Sequence, residues 1–367
     1  MIYCFYKKNI HILNERQNIQ GGNLKLKRTI AYLVEPKRFE LFNEELRPIA
    51  DDEMLIQTIS SGLCHSDVNV YMGKANIVYN KYGNMCMGDM EYPVAFGHEP
   101  IGIVVETGKD IKKFKKGDYV SGPTLLQGAF ATYIIVKEIQ MAGIPEGTRN
   151  IEKCLVEPMQ CCVNIVRAAN PQFYDTCAVI GCGIMGLMTI GGLKNSGAKE
   201  IIAIDFDDGR LEHAKKLGAT LLINPDRQDL DEIIYETTGN RGVDVVIEIT
   251  GSLGGLKTAS QIVRNAEFFG ALSGGKILIP SMYGKTEMWD AETGYNLMIK
   301  SAQLHSVHPW YSSDLERDRE IAVQAYIDKV MPIDEYVTHE FKLEDINEAF
   351  EVMTGKDPAY IKGAIRF

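Results

Sequence analysis

The sequence of 367 residues is long enough for two domains of ordinary size, and its 45% apolar and 24% charged residues are typical of a soluble globular protein. The formal net charge of −10 argues against nucleic acid or an anionic membrane surface as the main partner, because both favour a basic protein face. Small molecules are therefore the expected ligands.

The chain contains eight cysteines but no C-x-x-C pair, and the neighbouring Cys161 and Cys162 are poorly placed to bridge each other. We therefore expect reduced thiols and a cytoplasmic protein. Residues 1–26 lack the apolar core of a signal peptide and are expected to form a mobile leader before the first domain. Translation from an upstream start codon explains this segment equally well.

From Lys27 to about Ile144, short apolar runs alternate with turn signals. This pattern predicts an antiparallel sheet or barrel rather than βαβ units. The predicted strands cover residues 28–34, 53–59, 101–105, 118–120 and 130–136.

Thiol, imidazole, hydroxyl and carboxylate side chains follow one another at residues 64–67, after a predicted strand. Taken alone, this run is typical of a buried, unreactive cysteine with a chance histidine beside it. A second pair, His98 and Glu99, precedes the strand at 101–105 and changes the interpretation. With Cys64, these residues make the mixed ligand set of a catalytic zinc, and Glu157 could supply a further oxygen.

Helix and strand signals alternate after about Cys154, which predicts a parallel sheet covered by helices. The predicted strands of this sheet cover residues 177–180, 201–204, 220–223, 243–249 and 276–279. A tail follows with a helix from about Ile321, a strand at 338–341, a helix at 343–353 and a strand at 361–367. This tail has the character of the first, β-rich domain.

Gly181, Gly183 and Gly186 form a G-x-G-x-x-G pattern between a buried strand and a helix. In this context the glycines let backbone amides approach a pyrophosphate at the helix N-terminus. Asp205 closes the next strand, where a carboxylate accepts hydrogen bonds from an adenosine ribose. An ordinary glycine-rich turn and a membrane span over 176–193 are the alternatives, and the agreement of strand, helix and acid favours a dinucleotide site.

In this order the motifs resemble the zinc-dependent medium-chain dehydrogenase/reductase superfamily of alcohol, sorbitol and threonine dehydrogenases, over about residues 27–367. The most specific matches are Gly62-x-Cys-His-Ser-Asp67, Gly97-His-Glu-Pro-Ile-Gly102 and the spaced run from 104 to 120. The resemblance implies an α/β protein with a doubly wound Rossmann domain and a β-rich GroES-like catalytic domain. The implied domains are a first catalytic segment at 27–165, an NAD-binding domain at 166–308 and a second catalytic segment at 309–367.

The resemblance also implies the roles of individual residues. Cys64, His98 and Glu99 would hold one catalytic zinc ion per chain, with Glu157 bound directly or through the metal's water. Asp67 would orient His98, although a turn-capping aspartate is the alternative. Ser66 would join the proton relay. The residues implied for NAD are His65, Gly181, Gly183, Ile184, Met185, Gly186, Asp205, Arg210 and Glu248.

Three features depart from the family pattern. The family's structural-zinc lobe, with four closely spaced cysteines, is missing after the strand at 118–120. The segment between Asp67 and Gly97 is enlarged and rich in tyrosine and methionine, and it could line a pocket, form an interface or pack under a long loop. Asn69 stands where many relatives have the relay histidine, which leaves the proton path open.

The implied function is hydride transfer between NAD and a secondary alcohol, with a polyol, sugar, cyclitol or polyol phosphate as the expected substrate. A threonine-type or simple alcohol dehydrogenase is the alternative among enzymes. A NAD-binding protein that senses redox state without turnover is the alternative of another class. The family resemblance further implies a homodimer or homotetramer.

Overall fold

The structure is a computed structural model that describes residues 26–74, 76–79, 85–124, 128–267, 273–281, 283, 288–308, 312–355 and 357–367. Almost all of the expected leader, residues 1–25, lies outside the described residues. None of the helices in the described ranges is long and apolar enough to cross a bilayer. The cysteines of these ranges are all free thiols.

The first segment of the chain is built mainly from antiparallel strands, as predicted. Two short hairpins lie outside its main sheet: β1 (Lys27–Glu35) pairs with β2 (Arg38–Glu45), and β4 (Asn76–Tyr79) pairs with β5 (Met85–Gly88). The main strands are β3 (Glu53–Gly62), β6 (Glu99–Thr107), β7 (Tyr119–Ser121), β8 (Tyr133–Lys137) and β9 (Ala142–Ile144). The segment also contains helices α1 (Val68–Tyr71) and α2 (Val156–Ala169).

The central segment forms one six-stranded parallel sheet covered by helices. Its strands are β10 (Thr176–Ile180), β11 (Glu200–Ile204), β12 (Leu221–Ile223), β13 (Val245–Glu248), β14 (Lys276–Ile279) and β15 (Gln303–Ser306). Its helices are α3 (Ile184–Leu193), α4 (Asp208–Leu217), α5 (Leu230–Thr238), α6 (Leu253–Ile262) and α7 (Ala291–Ile299). The strand order β12-β11-β10-β13-β14-β15 is that of a doubly wound sheet, so the predicted Rossmann architecture is confirmed.

Both faces of this parallel sheet are buried, which is why its strands read as continuous apolar runs. Along β10, Cys177 and Val179 belong to one hydrophobic cluster, whereas Ala178 and Ile180 belong to another on the opposite face. The segment 176–193 is therefore a core strand followed by a helix, and the membrane-span alternative is wrong.

The tail contains α8 (Leu315–Ile327), β16 (Val337–Lys342), α9 (Ile346–Thr354) and β17 (Lys362–Arg366). β17 pairs antiparallel with β3, and β16 pairs with β17, so the tail joins the main sheet of the first segment. On α9, Phe350 packs among Phe39, Tyr71 and Phe96, which all come from the first segment. The domain boundaries themselves stay predictions, and the one expected after residue 165 falls inside α2.

Several element ends differ from the predictions. Helix α8 begins at Leu315 rather than near Ile321, because the Asp314 carboxylate accepts a hydrogen bond from the Arg317 amide and caps the helix. Strand β8 begins at Tyr133 rather than at residue 130, because Ala131 forms only an isolated bridge to β1. In the tyrosine-rich segment before Gly97, residues 75 and 80–84 lie outside the described residues.

Candidate metal and coenzyme site

Three potential metal ligands meet where β3 ends and β6 begins. The two strands are antiparallel neighbours, and Gly62 pairs with Glu99. This register places Cys64 beside His98 and Glu99, and one ligand atom from each of the three lies within 4.8 Å of the other two. Among the described residues, this donor trio is the one group of His, Cys, Asp or Glu side chains with that spacing.

Asp67 lies at the end of a 3-10 turn that follows Cys64, and its Oδ1 is 3.3 Å from Nδ1 of His98. Burial lowers the pKa of His98, but the charges of Asp67 and Cys64 together raise it well above its usual range. The geometry therefore suits the expected orienting role of Asp67, in which its carboxylate holds the imidazole and leaves the other ring nitrogen for a ligand.

Glu99 forms a buried ion pair with Lys362 of β17, a residue that the sequence analysis missed. The Lys362 Nζ donates to Oε1 of Glu99 at 2.8 Å and to the Leu63 carbonyl at 2.9 Å, and it lies 2.6 Å from Oε2 of Glu99. Burial lowers the pKa of Lys362, but the charge of Glu99 more than reverses this and keeps the amine protonated. The sequence signal that could have identified this residue was a lysine in a last strand that is otherwise mostly apolar and buried.

Glu157 lies in the first turn of α2, and its side chain is buried. Burial raises the pKa of this carboxyl to about 7, and the Cys161 thiol donates to its Oε1 at 3.4 Å. Glu157 does not belong to the donor trio. Direct ligation of a metal by Glu157 therefore stays a prediction.

The two polar residues after Cys64 are exposed. The Ser66 hydroxyl donates to the Cys64 sulfur at 3.2 Å, so it lies beside the donor trio. Desolvation and the positive charges of Lys362 and Arg210 lower the pKa of His65. These two cations come from different segments of the chain.

The glycine-rich loop joins β10 to α3 in the way that its sequence predicts. Gly181 has φ +99°, and Gly183 caps the N-terminus of α3, which begins with the half-buried Ile184 and Met185. Gly186 lies so close to the loop that a Cβ there would be 1.9 Å from the Gly181 carbonyl oxygen. This turn therefore leaves the first amides of α3 free for an anion.

Asp205 follows β11, and its carboxylate accepts hydrogen bonds from the amides of Cys182, at 2.7 Å, and Asp207, at 2.9 Å. It thereby braces the glycine-rich loop from the neighbouring strand. On α4, an Nη of Arg210 donates to the Tyr360 carbonyl at 3.4 Å, which connects the parallel sheet domain to the tail. The Arg210 Nε is buried and has no partner among the described residues.

Glu248 lies at the carboxyl end of β13, beside β10, where the strand order reverses. Its Oε1 accepts from the Thr250 amide at 2.8 Å, and its Oε2 accepts from the Tyr283 hydroxyl. Burial and this hydrogen bond raise the pKa of Tyr283. Glu248 thus lies at the edge of the sheet where doubly wound folds bind coenzymes. Both of its carboxylate oxygens accept hydrogen bonds from other residues of the protein.

Comparisons with known proteins agree with this architecture. Residues 50–146 match the alcohol dehydrogenase GroES-like domain, and residues 185–280 match the zinc-binding dehydrogenase family. The sorbitol dehydrogenase of Bacillus subtilis is 31% identical over 66% of this chain and 73% of the relative. The chain belongs to the zinc-dependent medium-chain dehydrogenases.

Other relatives of this medium-chain dehydrogenase carry different names. The L-threonine 3-dehydrogenase of Bacillus velezensis is 27% identical over 83% of this chain and 89% of the relative. In structure, the 2R,3R-butanediol dehydrogenase of Bacillus subtilis superimposes with a TM-score of 0.75 over 93% of this chain and 99% of the other, at 24% identity. At that identity the second likeness shows the fold alone.

The donor trio of this medium-chain dehydrogenase fits a zinc ion. A thiol, an imidazole and a carboxylate are the donors that catalytic zinc takes, with a position left open. Glu99 is fully buried, and its Oε2 lies where a Cβ of residue 62 would otherwise be, 2.6 Å from the Lys362 ammonium. Lys362 balances the charge of Glu99 without using all of its lone pairs.

The missing cysteine lobe is consistent with a single metal site. No cysteine occurs between Cys86 and Cys154 in the sequence, so this medium-chain dehydrogenase has no four-cysteine ligand set there. Asn69, in α1, is half-buried. It provides an amide at the position for which the family resemblance implies a proton-relay histidine.

Proposed function

We propose that this medium-chain dehydrogenase transfers a hydride between NAD and a secondary alcohol, with a polyol, sugar, cyclitol or polyol phosphate as substrate. The observation that carries the proposal is the presence of the donor trio and the glycine-rich loop on one chain. The loop lies where the strand order of the doubly wound sheet reverses. A redox sensor without turnover has no need of such a donor trio.

Cys64, His98 and Glu99 would hold the zinc ion, and the glycine-rich loop would hold the NAD pyrophosphate. When bound, the zinc ion would acidify the alcohol hydroxyl, and NAD would accept a hydride from the carbon that bears this hydroxyl. The residues of the chain do the rest: Asp67 orients His98, Lys362 compensates the charge of Glu99, and the Ser66 hydroxyl can pass a proton outward.

NAD rather than NADP is the proposed coenzyme. Asp205 follows β11 with a carboxylate that would repel a 2′-phosphate, and the next residues, 206–208, supply no cation to neutralise one. Glu157 supports the choice of a polyol, since a glutamate there resembles the sorbitol dehydrogenase branch, and the Bacillus subtilis relative carries that name. The chain is expected to act in the cytoplasm.

The test is a screen of purified, zinc-loaded protein for NADH formation with sorbitol, 2,3-butanediol, 2-butanol and L-threonine. Cys64→Ser and His98→Ala should abolish turnover and reduce bound zinc, whereas NADH binding should persist because the loop lies in the other domain. Cys86→Ser is the matched control, since Cys86 is an exposed thiol outside the donor trio. Full turnover by a metal-free preparation would contradict the proposal, and turnover of L-threonine alone would favour the threonine-type alternative.

A further inference from the structure

We propose that Gln160 recognises a second hydroxyl group of the substrate, beside the alcohol that is oxidised. This inference rests on the proposed function, because it names a residue that would select substrates at that same site.

The amide of Gln160 is buried without a hydrogen-bond partner. Gln160 is 1% exposed, and neither its Nε2 nor its Oε1 has a partner among the described residues. Most buried side-chain amides in proteins are hydrogen-bonded, because burying one without a partner costs free energy. A partner that arrives from outside the chain would satisfy this amide.

The position of Gln160 on α2 shows where that partner would lie. Glu157, Gln160, Cys161 and Asn164 are spaced three and four residues apart, so they share one face of the helix. The contact from the Cys161 thiol to Glu157 confirms this alignment.

This polar face of α2 lies between the two halves of the proposed site. At one end, the N-terminus of α2 adjoins the donor trio, because a Cβ at Gly62 would lie 1.9 Å from Oε2 of Glu99 and 3.1 Å from Cδ1 of Leu155, the residue that precedes α2. At the other end, the Asn164 Nδ2 donates to the His308 carbonyl at 3.5 Å, just beyond the carboxyl end of β15. Gln160 therefore lies on the helix face that runs from the metal donors to the edge of the sheet where coenzymes bind.

The chemistry of the amide selects the kind of group. A primary amide both donates and accepts hydrogen bonds, as a hydroxyl does, so one polyol hydroxyl can pair with Gln160. A simple alcohol would leave the amide unpaired. The carboxylate and ammonium groups of an amino acid would enter beside an uncharged residue, without the compensating charge that buried ions need. The geometry thus favours a diol or polyol over both alternatives.

The experiment compares two substrates that differ by one hydroxyl, 2,3-butanediol and 2-butanol, in wild type and in Gln160→Leu. We expect the ratio of kcat/KM for the diol to that for 2-butanol to fall about tenfold or more in the variant, because a site built to bind a hydroxyl discriminates strongly against its loss. The kcat/KM for 2-butanol should change little. Bound zinc and NADH affinity should match the wild type, and the Tm should not fall, because the leucine removes an unpaired amide.

Thr58→Val is the matched control, since Thr58 on β3 is also buried with an unpartnered hydroxyl. It should leave the substrate ratio unchanged. An unchanged ratio in Gln160→Leu, as expected if only a water molecule pairs with the amide, would overturn the inference, and so would equal losses with both substrates. If the wild-type protein oxidises none of these alcohols, the proposed function is contradicted. If the wild type is active but Gln160→Leu has the same ratio of kcat/KM for the diol to that for 2-butanol, only the inference about Gln160 is contradicted.

Discussion

Two carboxylates of the candidate metal site have different electrostatic surroundings. Glu99 forms an ion pair with the buried ammonium of Lys362. Glu157 accepts only a weak hydrogen bond from the Cys161 thiol among the contacts described, and burial raises the pKa of its carboxyl to about 7. At neutral pH, burial therefore leaves the Glu157 carboxyl of the metal-free protein partly protonated.

This difference predicts a pH dependence of stability in the chelated protein. The pKa of Glu157 rises from 4.5 to about 7 on folding, so between those values the unfolded chain releases a proton that the folded protein keeps. The free energy of unfolding should therefore fall as the pH rises from 4.5 to about 7, by about 1.4 kcal/mol for each pKa unit of the shift. Chemical denaturation of metal-free protein across this range measures the slope.

Glu157→Gln removes the titrating group and keeps the shape of the side chain. In the variant, the free energy of unfolding should no longer fall between pH 4.5 and about 7. Identical slopes in wild type and Glu157→Gln would show that the carboxyl is ionised throughout, contrary to the effect of burial described here.

At the scale of single elements, the loop between β10 and α3 needs glycine for two different reasons. A Cβ at Gly186 would lie 1.9 Å from the Gly181 carbonyl oxygen, which is an overlap with the backbone of the loop itself. A Cβ at Gly183 would meet nothing within 4 Å, and the residue has an extended backbone that any amino acid adopts. The fold therefore requires glycine at 186, whereas at 183 only a bound pyrophosphate would.

Alanine substitutions should separate these demands. Gly186→Ala should destabilise the protein by about 1–3 kcal/mol, as overpacking does, and should also weaken NAD binding. Gly183→Ala should keep the wild-type stability but weaken NAD binding. Thermal unfolding and NADH fluorescence titration measure the two effects. Wild-type NAD affinity in Gly183→Ala would argue against a pyrophosphate at this loop.

At the scale of the whole molecule, the part of the chain that leads into the edge strand β15 exposes several large apolar side chains. β15 is the last strand at that edge among the described strands, and each of its residues is exposed. The large exposed apolar side chains near it on the chain are Met288, Trp289, Tyr295, Met298, Ile299 and Leu304. Such a concentration of exposed apolar groups is typical of a protein interface.

We expect this edge to join two copies of the chain, in line with the homodimer or homotetramer that the family resemblance implies. Met298→Asp together with Leu304→Lys should shift the protein towards monomers, because charged groups would be buried in the interface. Light scattering coupled to size-exclusion chromatography measures the change in mass. The control is Phe173→Lys, which alters an exposed aromatic residue outside this edge. An unchanged mass for the double variant would place the contact elsewhere.

The sequence alone determined the parts of this protein that local patterns encode. Short apolar runs separated by turn signals predicted the antiparallel sheet, and alternating helix and strand signals predicted the parallel one, because such patterns reflect which faces of an element are buried. The glycine spacing before α3 predicted the loop, since only glycine permits φ +99° at Gly181 and the close approach at Gly186. Cys64 and His98 could be assigned to one metal site from the sequence, because Cys64 follows one predicted strand and His98 precedes another.

The tertiary structure decided which distant residues complete the site. Lys362 reaches Glu99 across 263 residues of sequence only because β17 joins the sheet beside β3. Likewise, Gln160 reads as an ordinary polar residue of a helix until the packing around α2 buries it without a partner. Periodicity reports the face on which a residue lies, whereas the partner that it meets depends on strand pairing and helix docking, which no short stretch of sequence contains.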